Sequence, residues 1–301
     1  MAKQRDLLTF EVDGHKITAL AAGPVEPTGK PLIAALHGGT YTAQYFDVAG
    51  APEGSFLDVA VAHGYPVVAF DRPGYGGSTA LEPDANTFTR HVELLNGALA
   101  QAAERLDARS VFLVGHSIGG MIALMIAASD PDIPLIGVSA TGMGAVIPSG
   151  GAAEALGSLP ADATVDLPYE ERDKVMFGPE HTYRAEGVRQ AHGSYAPVPV
   201  KELVQAPRWP REHLPSLAPK VRVPVHNALA EFDALWSSGA ENVATFAALF
   251  TAAPFVEAGV ARGTGHCIDH HTLGHALHLR QLAFAEECVH WAARQKTESG
   301  R

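Results

Sequence analysis

The sequence predicts an α/β protein, a doubly wound and mostly parallel sheet interrupted by a mainly helical insertion. Three observations carry this. Apolar runs without polar alternation occur at PLIAALHG from Pro31, YPVVAFD from Tyr65 and SVFLVGH from Ser110, as expected of strands buried on both faces. Helical segments lie between these runs, which argues for strand–helix–strand units with right-handed crossovers. One stretch, 145–220, has no buried-strand run and, at about 75 residues, is too long for a plain loop.

The elements follow in order. LLTFEV, an Asp13-Gly14 turn and HKITALAAG read as an opening hairpin. FLDVAVAHG reads as a helix with a glycine stop at Gly64, and TRHVELLNGALAQAAERL as a longer helix over 89–106. LIGVSATG (135–142) and VPVHNALAEFD (223–233) continue the strands. FVEAGVARG (255–263) is the last strand, and a closing helix runs from about Leu273 to Trp291. The 145–220 stretch is rich in Pro, Gly and Ala and contains amphipathic pieces, PYEERDKVMF and PVKELVQAP. It reads as a cap over the sheet's C-terminal edge, set into a core of 1–144 and 221–301. Disorder is the alternative, and its apolar residues argue against it.

The chain has 301 residues, 47% hydrophobic and 18% charged, enough for a large core. A net charge of -11 speaks against nucleic acid and anionic membranes as partners. The two cysteines, Cys267 and Cys288, lack a CxxC spacing. MAKQRDLLTF lacks an apolar signal core, and no apolar run is long enough to span a bilayer. The expectation is a soluble cytoplasmic protein, with a homo-oligomer left open.

The chemistry centres on VFLVGHSIGGM, where Ser117 stands between Gly115 and Gly119 at the seam of a buried strand and an apolar helix. A turn this sharp strains the serine backbone, and the residues two positions either side must be small. An ordinary helix N-cap would not need glycine on both sides. A serine hydroxyl needs a base within hydrogen-bond reach and a carboxylate to orient that base. His266, in GTGHCIDHH beyond the last strand, is the candidate base. His116 precedes the serine and should point away, and His37 is given a different role. Asp233, at the end of AEFDALW, is the candidate acid, with Glu231 as its rival and a helix N-cap as its plainer role. HGGT after the first core strand is the candidate oxyanion turn: Gly39 N–H first, Thr40 second, with the N–H of Ile118 as the other donor. A plain tight turn is the alternative.

With these residues, the chain resembles the α/β-hydrolase superfamily over nearly its whole length apart from the cap. DRPGYGGS (71–78) is similar to the Asp-x-x-Gly-x-Gly-x-Ser turn of many members, and the His-Gly turn, this turn, the serine turn, the acid and the histidine occur in family order. One departure is Ala230, where the acid's strand usually carries glycine. The resemblance implies a cofactor-free hydrolase acting on a small-molecule ester, lactone, thioester or related bond. Ser117 excludes relatives with an aspartate nucleophile.

The leading expectation is a serine ester or lactone hydrolase. Tyr41, Met143, Met176 and Trp209 are substrate-pocket candidates, with ordinary packing as the competing role. C–C bond hydrolysis or perhydrolysis would use the same three residues, and a non-catalytic ligand-binding member is a further alternative. His270, His271, His275 and His278 raise a metal site, but with no HExxH and only Asp269 as an oxygen ligand, a solvated helix face is the preferred reading and no metal is assigned. Cys267 reads as a packing residue whose modification by thiol reagents would slow the enzyme by crowding the histidine loop.

Overall fold

A computed structural model describes residues 5–24, 28–48, 55–148, 160 and 162–299. Strands β1 (Asp6–Val12), β2 (His15–Ala22), β3 (Leu32–Leu36), β4 (Val67–Phe70), β5 (Val111–His116) and β6 (Leu135–Thr141) precede a two-residue pair, β7 (Thr164–Val165) and β8 (Val198–Pro199). Strands β9 (Val225–Ala230) and β10 (Val256–Ala261) follow. The main sheet has the order β1-β2-β4-β3-β5-β6-β9-β10. The β1–β2 and β2–β4 pairs are antiparallel, and every pair from β4 to β10 is parallel. The hairpin closes with Val12 opposite His15, and both turn residues, Asp13 and Gly14, have positive φ, as a type I′ turn requires.

The unalternating runs have a direct cause. Leu32, Ala34 and Leu36 of β3 feed a core on one face, with Val68, Phe70, Val111 and Leu113. That face is covered by α2 (Phe88–Arg105) and α3 (Ile118–Ala128). Ile33 and Ala35 feed the other core, with Val67, Ala69, Phe112 and Val114. There they meet α1 (Phe56–Ala62) and the closing helix. Every residue of β3, β4 and β5 is buried because each face has its own helical cover.

Between β6 and β9 the described part of the insertion is mainly helical: α4 (Tyr169–Phe177), α5 (Ala185–Ala191), α6 (Val200–Gln205), α7 (Trp209–Glu212) and α8 (Leu214–Leu217). It also carries the β7–β8 pair, Thr164 opposite Pro199, which is too short to leave a buried-strand signature. Residues 149–159 and 161 of the expected 145–220 cap lie outside the described residues, as do the first four residues of the chain. After β9 come α9 (Ala240–Ala247) and α10 (Gly274–Ser299), which continues past the expected Trp291 because ARQKTES offers good helix formers and neither Gly nor Pro. No helix of the described residues is long and apolar enough to cross a membrane.

The DRPGYGGS turn ties this frame together. Asp71 accepts hydrogen bonds from Thr18 Oγ1 on β2 (2.7 Å) and from Ala43 N after β3 (2.8 Å). Ser78 Oγ donates to Asp71 O and accepts from Thr18 N. Because β3, β4, β5, β9 and β10 run parallel, the segments following them emerge at one edge, and all the candidate site residues outside the insertion gather there.

Candidate active site

Ser117 has φ 53° and ψ -121°, outside the regions open to most L-residues. Its flanking glycines are required by close approach. A Cβ on Gly119 would lie 2.0 Å from the carbonyl oxygen of Leu36 on β3, and a Cβ on Gly115 would lie 2.4 Å from the carbonyl oxygen of Gly119. Both obstacles are backbone and cannot rotate aside. The small residues therefore let α3 start directly against the end of β3, with the serine between them.

Ser117 Oγ is 3.1 Å from His266 Nε2. On the other side of that ring, Nδ1 is 2.9 Å from Asp233 Oδ2 and 3.1 Å from Oδ1. The side chains of His266 and Asp233 are fully withdrawn from solvent. Asp233 is anchored by its own loop, with Oδ1 accepting from the N–H groups of Leu235 (2.8 Å) and Trp236 (3.1 Å). One carboxylate thus serves both: Oδ1 takes the loop N–H groups, and Oδ2 makes the shorter contact with His266. Glu231 turns elsewhere, accepting from Gly263 N at 2.7 Å. The imidazole can take the serine proton while the carboxylate holds Nδ1–H and balances the charge that forms.

The His37–Thr40 turn lies against the serine turn. A Cβ on Gly38 would be 3.1 Å from Ser117 Cβ, and one on Gly39 would be 3.0 Å from Ile118 Cδ1. Ile118 is the first residue of α3, so its N–H has no acceptor within the helix. Thr40 has φ 64°, and its carbonyl accepts from Ala196 N (2.9 Å) and Arg172 Nη1 (3.4 Å), both of the insertion.

Of the substrate-pocket candidates, Tyr41 is buried with its ring edge-on to Tyr45 and Tyr195. Met176, at the end of α4, presents its carbonyl to the N–H and Sγ of Cys267, beside His266. Met143 is buried in the core that packs on α3. Trp209 is placed elsewhere: it is fully buried in the same core, its Nε1 on Met125 Sδ, two helical turns along α3 from Ser117 and so about 12 Å away along the axis.

His116 is buried against Tyr45, the two rings stacked at 4.7 Å, and its Nδ1 faces Thr141 Oγ1. Burial holds this ring well below the usual histidine range, so it is neutral. The histidine run differs from the expected solvated face. His271 precedes α10, and His270, His271 and His278 are buried. His270 Nε2 bonds the carbonyl of Tyr45, His271 Nδ1 bonds the carbonyl of Cys267 while its Nε2 accepts the N–H of Gly265, and His278 pairs with Asp269. They tie the histidine loop to its surroundings, and among the described residues no group of three or more His, Cys, Asp or Glu could hold a metal ion. Asp269 also accepts from Tyr45 OH at 2.7 Å. Cys267 is fully buried and its thiol is pushed up by burial, which removes the access and thiolate character a reagent needs.

Sequence reasoning missed one network. Arg72, inside DRPGYGGS, is fully buried and bonds the His37–Gly38 backbone, His91 and Glu202 of α6. The Arg72–Glu202 contact joins residues 130 positions apart, and nothing local marks it.

The family model that matches this chain, over residues 33–287, is described as "Alpha/beta hydrolase family". Esterase Rv0045c of Mycobacterium tuberculosis is 34% identical over 103 residues, which is 34% of this chain and 30% of that protein. The chain thus matches less than a third of that relative's length. Among solved structures, a thermophilic esterase from Thermogutta terrifontis superposes with a TM-score of 0.67 at 18% identity, covering 95% of this chain and 99% of that one. The esterase EaEST from Exiguobacterium antarcticum gives 0.65 at 19% identity, covering 94% and 97%. A mutant N-acyl homoserine lactonase, AidH, complexed with N-hexanoyl homoserine gives 0.67 at 14% identity, covering 95% and 98%.

Proposed function

The chain belongs to the alpha/beta hydrolase family, and from that premise we propose that it is a cofactor-independent serine hydrolase that cleaves a carboxylic ester or lactone of a small, largely apolar substrate. The observation that carries this reading is the unbroken line Ser117 Oγ, His266 Nε2 and Nδ1, Asp233 Oδ2, at 3.1 and 2.9 Å. In this reading Ser117 Oγ attacks the carbonyl carbon while its proton passes to His266 Nε2. The carbonyl oxygen takes up negative charge, held by the N–H groups of Gly39 and Ile118, with Thr40 as the alternative first donor. His266 then returns the proton to the leaving oxygen, the C–O bond breaks, and an acyl-enzyme remains. A water attacks the acyl carbon, gives its proton to His266, and Ser117 is released with the acid.

The buried aromatic and apolar residues beside the histidine loop, Tyr41, Tyr45, Met176 and Phe177, support an apolar substrate. The insertion acts as a cap in this proposal, since its backbone bonds the loops after β3 and β10 and its Arg172 side chain bonds the Thr40 carbonyl. The relatives named as esterases and a lactonase agree with the bond type. The test is hydrolysis of short-chain p-nitrophenyl esters and of γ-lactones by the wild type and by Ser117→Ala. Turnover by the wild type that is lost in the variant is expected. Turnover that survives Ser117→Ala, or none across both substrate series, would reject the reading.

A further inference from the structure

The Gly38–Gly39 peptide is held from behind. Gly38 O accepts from Arg72 Nη2 at 3.1 Å and from His37 Nδ1 at 2.8 Å. His37 Nε2 accepts the backbone N–H of Arg72 at 3.0 Å, which leaves the ring proton on Nδ1, where it donates to Gly38 O. Arg72 Nε also donates to His37 O at 3.0 Å. Among the described residues no peptide bond is cis, and in a trans peptide the C=O and the next N–H point in opposite directions. Fixing Gly38 C=O toward Arg72 therefore fixes Gly39 N–H away from it. Ser117 and His116 pack against Gly38, and Ile118 and Val198 against Gly39.

Arg72 is itself held from the insertion. Its guanidinium is fully buried, and its counter-charge is Glu202 of α6, with Nη1 2.8 Å from Oε2 and the carboxylate equally buried. Tyr75 stacks on the guanidinium, with Cζ 4.5 Å from the ring centroid, and donates its OH to the same carboxylate oxygen at 3.1 Å. His91 Nδ1 completes the set at 3.3 Å, its other nitrogen held by Asn86. A buried guanidinium deprived of its carboxylate is strongly disfavoured, so it would shift toward solvent and release the two carbonyls.

We propose that Glu202 and Arg72 are positioning residues: through the Gly38 carbonyl they aim the Gly39 N–H into the Ser117 site, so that the insertion helps to set the oxyanion donor. The proposal rests on the reading of Gly39 as that donor. The side chains of Arg72 and Glu202 bond to His37, Gly38, Tyr75, His91 and each other, not to Ser117, His266 or Asp233. Their effect falls on the transition state, where charge develops on the oxygen, and spares ground-state binding.

The test compares Glu202→Gln and Arg72→Lys with the wild type in two ways. The first needs no turnover. In protein labelled with 15N-glycine, both variants should shift the amide resonance of Gly39, identified by its loss in Gly39→Ala, and leave that of Gly259, on the far edge strand, in place. The second is kinetic. Loss of one oxyanion donor lowers kcat by about 10²–10³-fold, so a misaimed donor should lower it by about tenfold or more, with KM within about twofold. The inhibition constant of an aryl boronate, whose adduct with Ser117 is a tetrahedral anion, should rise by the same factor as kcat falls. Arg72→Lys keeps the charge but not the forked geometry and should not restore activity. Should Glu202→Gln fail to fold, the paired apolar replacement Arg72→Met with Glu202→Leu keeps the volume without a lone buried charge and should show the same losses. An unmoved Gly39 resonance, or a moved one with unchanged kcat and boronate affinity, overturns the proposal. Absence of any ester or lactone turnover in the wild type rejects the serine-hydrolase reading instead, while the Gly39 resonance still decides whether Glu202 sets the turn.

Discussion

Replacing Ser117 by glycine should make the protein more stable than replacing it by alanine, and both should abolish the proposed hydrolysis. The serine backbone sits at φ 53° and ψ -121°, a conformation that costs an L-residue about 1–3 kcal/mol. Alanine keeps the Cβ and hence the strain, and loses the hydrogen bond to His266, about 1 kcal/mol. Glycine loses the same bond but releases the strain, offset by about 0.4–1 kcal/mol of added freedom in the unfolded chain. The difference between the two variants is therefore about 1 kcal/mol in favour of glycine. With an unfolding entropy of about 2.1 cal/mol/K per residue, that corresponds to a Tm roughly 1.6 °C higher for a chain of this length. Differential scanning calorimetry at neutral pH reads this directly. A glycine variant with a Tm equal to or below that of the alanine variant would refute the claim that the turn is strained.

Asp233→Asn should lower kcat by about 10⁴-fold while the loop stays folded. The amide oxygen can keep the Leu235 and Trp236 N–H groups, so its NH2 takes the place of Oδ2 and donates to His266 Nδ1, forcing the proton onto Nε2, where it cannot accept from the serine. Glu231→Gln, measured alongside, should stay within a few-fold of wild type, because its carboxylate serves Gly263 N. Both thiols should be unreactive toward a disulfide reagent in the folded protein and react only on unfolding, since Cys267 and Cys288 are buried and burial pushes both thiols up. Stability should fall on acidification from pH 6.5 toward 4. Burial lowers His37, His91, His116, His226, His270 and His271 in the folded state, with His226 and His270 at about 4. Between the unfolded value near 6.5 and those folded values the unfolded chain binds more protons, so stability rises with pH there, by up to about 1.4 kcal/mol per pH unit for each histidine. Urea midpoints measured at pH 7, 6 and 5 should decline, and His226→Gln should flatten the slope. A midpoint independent of pH would contradict this.

The sheet was legible because a strand covered on both faces must be apolar at every position, as Val111–Val114 are. The serine turn was legible because close approach to Leu36 and Gly119 leaves room only for glycine at two positions in five. Asp233 and His266 stood out by their places just beyond two strand ends, and the structure brings their side chains together. What the sequence hid depends on distant pairing. Arg72 stands within a recognisable turn, but its partner Glu202 lies in an insertion whose packing no local pattern encodes. The histidines after His266 misled for a related reason. Their spacing suggested one helix face, but α10 begins only at Gly274, and the preceding loop folds inward so that His270 and His271 meet buried carbonyls. Trp209 looked like a pocket aromatic because an insertion near the site was expected to line it, and instead α7 packs its ring on the far part of α3.

Whether Ser117 is an activated nucleophile is read from intact mass after incubation with a fluorophosphonate. The expected result is one adduct on the wild type, none on Ser117→Ala, and a much slower reaction with His266→Ala. No adduct on the wild type, or an adduct that persists in Ser117→Ala, would contradict it.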